Sequence, residues 1–104
     1  MEFVFSSKAQ KDFKKLDISI QKRIKIFTQE IEKLENPRSK GKSLAGNLKG
    51  FWRYRVGNYR LICEILDNEL IIYAIKISHR KNVYDWIIKK YKTWFIKYFL
   101  YTHY

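Results

Sequence analysis

The chain has 104 residues, enough for one small core, and its single cysteine, Cys63, excludes a disulfide framework or a cysteine-rich metal cluster. Its 22 Lys and Arg against 10 Asp and Glu leave a net charge of +12, and 17% of residues are aromatic. That balance points to nucleic acid, an acidic protein or an anionic membrane surface as partner, and charge alone does not choose among them.

Met1 to Ser6 carries neither a basic n-region nor an apolar h-region, so no secretory leader is expected and the cytosol is the default compartment. Phe3 to Phe5 reads as a short edge strand. Ser6 or Ser7 offers a helix N-cap, with Ala9, Phe13 and Leu16 following at helical spacing. Asp17 is a second cap candidate and opens a longer helix whose stripe is Ile20, Ile24, Phe27, Ile31 and Leu34. Asn36-Pro37 ends it, because the residue before proline disfavours the helical region. The stretch from Arg38 to Gly50 holds three of the four glycines and reads as an exposed loop. It lacks the spacing of a phosphate-binding loop, although Lys40, Lys42 and Lys49 are available for nonspecific phosphate contacts.

Phe51-Trp52-Arg53-Tyr54-Arg55-Val56-Gly57-Asn58-Tyr59-Arg60-Leu61 predicts two strands joined by a two-residue turn of type II′, with glycine first. Pairing Val56 with Tyr59 sets Arg55 opposite Arg60, and alternation puts Arg53 on their face. Trp52, Tyr54, Val56, Tyr59, Leu61, Cys63 and Ile65 then form the core face. A third strand from Leu70 to Ile77 follows a three-residue turn, Asp67-Asn68-Glu69, which pairs Leu66 with Leu70. That register sends Ile71, Tyr73, Ile75 and Ile77 to the core and brings Lys76 opposite Arg60. One sheet face would gather Arg53, Arg55, Arg60 and Lys76. Like charges set across a ladder weaken it, so the fold gains nothing from this arrangement and a polyanion is the natural ligand. The plain alternative is a solvated sheet face. After the third strand come Ser78-His79-Arg80-Lys81-Asn82-Val83-Tyr84, which place His79 and Arg80 at the strand end and Tyr84 as a ring on which a base can stack. The expected class is α+β, ordered β-α-α-β-β-β, with a mainly antiparallel sheet packed by an N-terminal helical hairpin and followed by a C-terminal helix.

Leu44-Ala45-Gly46 ahead of the first core strand, Asn58-Tyr59-Arg60-Leu61, and the closing His79-Arg80-Lys81-Asn82-Val83-Tyr84 together resemble the RelE toxins of the RelE/ParE superfamily. The likeness spans residues 1–85 as one domain. It implies the toxin of a type II toxin-antitoxin system, a cytoplasmic endoribonuclease that cuts messenger RNA in the ribosomal A site. The family's reaction is attack of a 2′-hydroxyl on the adjacent phosphate without metal or other cofactor. Carried onto this chain, the resemblance makes Arg53 and Arg55 the two basic positions of the first core strand. Arg60 and Arg80 become the phosphate-stabilising arginines and Tyr84 the stacking aromatic. Arg55, Arg60, His79, Arg80 and Tyr84 are the expected catalytic set; Arg53, Lys76, Lys49 and Lys42 are the expected RNA contacts. Better-known members carry lysine where this chain has Arg53 and Arg55. Arginine does not give up its proton, so His79 is the remaining candidate for general acid or base. Otherwise His79 holds the strand end and catalysis rests on electrostatics and positioning.

The implied partners are a cognate antitoxin, messenger and ribosomal RNA, and operator DNA only through the antitoxin complex. Two alternatives share the fold: a ParE-type gyrase inhibitor, and a catalytically inactive RNA- or antitoxin-binding module. Residues 86–104 depart from the family ending. Ile87, Ile88, Tyr91, Trp94, Phe95, Tyr98, Phe99 and Tyr101 make an apolar arc opposite Lys89, Lys90 and Lys97. The segment has no apolar run long enough to span a membrane. It reads as a C-terminal helix packed on the core, as a helix that competes with or docks on the antitoxin, as a membrane-surface element, or as unselected residues appended by a coding accident.

Overall fold

The computed structural model describes residues 1–45 and 49–79. Arg80, Tyr84 and the 86–104 tail lie outside the described residues. The elements are β1 (Glu2–Phe5), α1 (Ser7–Lys14), α2 (Ile18–Glu32), β2 (Lys42–Ser43), β3 (Phe51–Val56), β4 (Tyr59–Leu66) and β5 (Ile71–His79). They build one five-stranded sheet in the order β1-β5-β4-β3-β2, antiparallel except for the parallel β1–β5 pair. The α+β expectation holds. Strand β2 is an addition: two residues of the stretch read as a loop pair with Arg53 and Trp52. Gly41 permits this close approach. Its φ is +83°, and a Cβ there would stand 2.5 Å from both Arg53 O and Trp52 Nε1.

The helical hairpin forms where the caps said it would. Ser6 accepts a hydrogen bond from Ala9 N at 3.0 Å and starts α1. Asp17 stands at the N-cap of α2 but makes no side-chain cap bond. The joint between the helices is instead held by Gln21, whose amide donates to Phe13 O at 3.1 Å and Leu16 O at 3.0 Å, satisfying carbonyls at the end of α1. Ala9, Ile24 and Ile31 pack on Tyr54, Val56, Leu61, Cys63, Ile72, Ala74 and Ile77. Tyr54 is the largest fully buried side chain. Its ring meets Phe27 edge-on at 5.5 Å, and its hydroxyl donates to Pro37 O at 2.7 Å, which anchors the turn at Pro37–Ser39. Burial pushes its hydroxyl well above the usual tyrosine range.

The register of β5 differs from expectation. The turn after β4 holds four residues, because Leu70 adopts left-handed geometry with φ +56° and Leu66 pairs with Ile71. Ile72 and Ala74 therefore reach the core, and Ile71, Tyr73 and Ile75 do not join it. The ladder then shifts: Cys63 pairs with Ala74 and Ile62 with Lys76, so Ile75 is an extra residue. The longer turn and the bulge cancel. Ile77 does face the core, and Lys76 does share the face of Arg60, but Lys76 stands opposite Ile62 and Ser78 stands opposite Arg60.

The bulge sits where β1 ends. Ser6 N donates to Ala74 O at 2.9 Å, and beyond it α1 takes over the edge of β5. Asp12, 8% exposed, accepts from Ile77 N at 3.1 Å and binds Lys76 Nζ at 3.3 Å and Lys8 Nζ at 3.0 Å. The outer edge of β1 is closed too, by Glu32 Oε2 accepting from Phe3 N and Gln10 Nε2 donating to Phe5 O. On the opposite side β2 covers Arg53 and Trp52, and among the described residues the rest of β3 toward the hairpin has no further strand partner.

Removing a buried carboxylate strands an ammonium and a backbone N–H together. Asp12→Ala is expected to cost about 3 kcal/mol in urea denaturation. Asp12→Asn keeps an acceptor for Ile77 N and should cost about half as much; equal costs for the two would place the stability in the ion pair alone.

Candidate nucleic-acid interface

The turn at Gly57 and Asn58 organises the basic residues. Positive φ is confined there to Gly57, at +58°, which makes the turn type II′. Val56 pairs with Tyr59 and Arg55 with Arg60, as the turn demands. Two rows follow on the face turned away from the helices: Arg55, Arg60 and Ser78, then Arg53, Ile62 and Lys76. Arg55, Arg60 and Arg53 thus share a face as expected. Their exposure does not match a uniformly solvated surface. Arg55 is exposed, whereas Arg53 and Arg60 are 6% and 4% exposed. Arg60 folds back over the turn, with Nη1 3.3 Å from Tyr59 O and 3.5 Å from Gly57 O.

Lys76 lies on this face, but Asp12 engages its ammonium from the side of α1. Burial, with the charge of nearby Lys8 adding to it, holds Lys76 below the usual lysine range. Its hydrogen bond to Asp12 instead raises Lys8. Lys76 is a tie between α1 and β5 before it is a phosphate ligand. His79 stands opposite Tyr59, not in the row of Arg60, and its ring meets Tyr59 edge-on at 5.4 Å. The strand that carries His79 toward the site therefore turns its side chain to the other face.

Two clefts flank β3 on the edge that β2 leaves unpaired among the described residues. One, of ≈ 290 Å³, is bounded by Lys40, Gly41, Lys42, Arg53, Arg55 and Phe27. The other, also ≈ 290 Å³, lies between α2 and the hairpin and is bounded by Arg23, Ile26, Phe27, Glu30, Arg55, Val56 and Gly57. Arg55 and Phe27 belong to both. Lys42 thus joins Arg53 and Arg55, while Lys49 is exposed and lines neither cleft. Arg23 went unremarked in the sequence because it sits beside the apolar stripe of α2. The signal was its spacing with Ile26, Phe27 and Glu30, which is that of one helix flank. Cys63 is buried and its thiol is pushed far above the usual range, so it is an inert core group. No described helix is long and apolar enough to cross a membrane.

The family model described as ParE toxin of type II toxin-antitoxin system, parDE, matches residues 3–84. Toxin RelE3 of Methanocaldococcus jannaschii is 34% identical over 89 residues, covering 83% of this chain and 98% of that protein. Among solved structures, the RelB-RelE antitoxin-toxin complex from Methanococcus jannaschii has a chain 31% identical with a TM-score of 0.64, covering 80% of this chain and 96% of that one. The toxin-antitoxin complex RelBE2 from Mycobacterium tuberculosis gives 28% identity and a TM-score of 0.67, over 75% and 95% of the two chains.

The Arg55–Arg60 pair sets two like charges across one ladder, so Arg55→Thr should raise stability by about 0.5 kcal/mol in urea denaturation. The gain should shrink as salt screens the repulsion. A stability that is unchanged at low salt would mean the repulsion is already relieved.

Proposed function

The chain belongs to the RelE/ParE superfamily of type II toxin-antitoxin toxins, and on that premise we propose that it is a ribosome-dependent endoribonuclease of the RelE kind. The observation that carries this reading is Arg55 held opposite Arg60, with Arg53 on the same face. A polyanion is what such a cluster is suited to bind. A protein that only binds gyrase gains nothing from it.

In the reaction we propose, the 2′-hydroxyl of one nucleotide gives its proton to water as it attacks the adjacent phosphorus, and the 5′-oxygen of the next nucleotide leaves and takes a proton from water. A 2′,3′-cyclic phosphate and a 5′-hydroxyl result. Charge builds on the nonbridging oxygens in the transition state, where the guanidinium groups of Arg60 and Arg80 stabilise it. Burial of Arg60 strengthens that effect, since a charge acts further in a low-dielectric setting. Arg55, being exposed, meets the backbone first, and Arg53 holds the flanking phosphate with Lys42 and Lys49. Together they favour ionisation of the attacking hydroxyl. Tyr84 stacks on a base. His79, placed beside Tyr59, holds the strand end, and the reaction runs on electrostatics and in-line positioning without a metal.

The solved relatives RelBE2 and RelB-RelE are complexes of toxin with antitoxin. We extend that partnership to this chain: an antitoxin acidic where it meets the arginines, with operator DNA reached only through the pair, and a cytosolic setting in which ribosomes are at hand. Gyrase inhibition remains the second reading, favoured by the description of the matching family model as ParE toxin.

Primer extension on a highly translated message, after induction of the chain in bacteria, separates the two. In-frame cuts are expected with the parent. They should fall by about 100-fold in Arg80→Ala and Tyr84→Ala, and vanish when a translation inhibitor empties the A site. Intact message with growth arrest would move the assignment to gyrase. His79→Gln should leave the pH profile of cleavage unchanged; a lost limb near neutral pH would restore His79 as a proton-transfer group.

A further inference from the structure

The Gly57 turn is flanked by guanidinium groups on both sides. From the sheet face Arg60 Nη1 lies against the Tyr59 and Gly57 carbonyls at 3.3 Å and 3.5 Å. From α2, Arg23 lies so close that a Cβ on Gly57 would stand 3.1 Å from Arg23 Nη1. A Cβ at position 57 would shift the Arg23 guanidinium by a few tenths of an ångström, so the turn's positive φ is what requires glycine and the contact shows how near Arg23 lies. Arg55 stands between them and lines the same ≈ 290 Å³ cleft as Arg23 and Gly57. Arg23 and Arg55 are exposed, and neither forms an ion pair with another described residue. Among the described lining residues the carboxylate is Glu30, two helical turns from Arg23, about 10 Å along the axis. Ile26, 57% exposed, gives the cleft an apolar wall.

We propose that Arg23, with Arg55, forms a second phosphate subsite at the hairpin turn, which binds a backbone phosphodiester of RNA flanking the one held at Arg60. The proposal rests on the ribonuclease reading for the identity of the flanking strand. Two guanidinium groups converging on one open cleft present planar, bidentate donors to the tetrahedral oxygens of a phosphate. Arg55 and Phe27 line both this cleft and the one bounded by Lys40, Lys42 and Arg53, so the two are neighbours and cations follow one another along the edge of β3. A chain of phosphates matches such a track better than a peptide carboxylate, which answers one cation and leaves the rest unmatched. Arg23 is then a binding residue that selects nothing among bases and fixes the register of the strand.

The test is binding of a fluorescent single-stranded oligoribonucleotide by the full chain, read by anisotropy over a range of salt. Arg23→Gln should weaken binding several-fold, uniformly across sequences, and lower the slope of log affinity against log salt by about 0.7. Arg23→Glu should weaken it further, and Arg23→Lys should restore the slope with part of the affinity. Urea denaturation of each variant confirms the fold, and Arg23 is exposed enough for it to survive. Co-sedimentation with vacant ribosomes distinguishes the source of the phosphate. A defect on the oligonucleotide assigns the subsite to the message, and one seen only on ribosomes assigns it to ribosomal RNA; both support the proposal. Unchanged affinity and slope in both arms overturn it, as does a defect confined to binding of an acidic peptide. Binding is read without cleavage, so intact message beside an Arg23-dependent slope would sink the ribonuclease reading and leave the subsite standing.

Discussion

The two-residue turn at Gly57 and Asn58 is the constraint from which the rest of the molecule is built. A II′ turn closes a ladder in one register only, and a slip by one residue would exchange the faces of β3 and β4. With the register set, Tyr54 and Leu61 go under the helices, and Arg55 and Arg60 are forced to face each other on the far side. The same backbone choice therefore makes the core and assembles the arginines. The core compensates for the repulsion: Tyr54, Leu61 and Cys63 are fully buried, and hydrophobic burial of that extent outweighs one like-charge pair.

A second device, on α1, holds the other half of the sheet. Where β1 stops, β5 would present bare backbone to solvent. Asp12 supplies the acceptor for Ile77 N, and Lys76 and Lys8 balance its charge. A buried carboxylate held this way ties the helix to the strand that ends at His79. The bulge at Ile75 belongs to the same device, since it re-aims Lys76 toward Asp12 just past the last residue paired with β1.

The hairpin was legible in the sequence because its signals are local: a glycine-first dipeptide, strict alternation on both sides, and arginines at the matching offsets. The Ser6 cap and the stripe of α2 were legible for the same reason. β5 was not. Its face depends on a left-handed Leu70, which no leucine advertises, and on a bulge placed by the end of a strand seventy residues away in sequence. Strand β2 was hidden because two residues carry no period. Among the basic residues, alternation located Arg53, Arg55 and Arg60 correctly but said nothing of their burial. For Lys76 alternation gives the right face, but through a register that the four-residue turn and the bulge at Ile75 replace. Arg23 needed the hairpin and α2 in space at once, so a reading of either alone passes over it.

Among the described residues, the sheet is closed along the β1 side and open along the β2–β3 side. Glu32 and Gln10 engage two outward backbone groups of β1, Phe3 N and Phe5 O, and α1 covers the edge of β5 beyond it. Among the described residues, the β2–β3 side leaves the stretch of β3 toward the hairpin without a strand partner. A filament of stacked sheets needs two free borders per molecule, one to receive and one to offer. With the β1 border engaged by Glu32 and Gln10, lateral growth stops once the other border is met: two copies can join edge to matching edge, and the β1 side of each does not recruit a third.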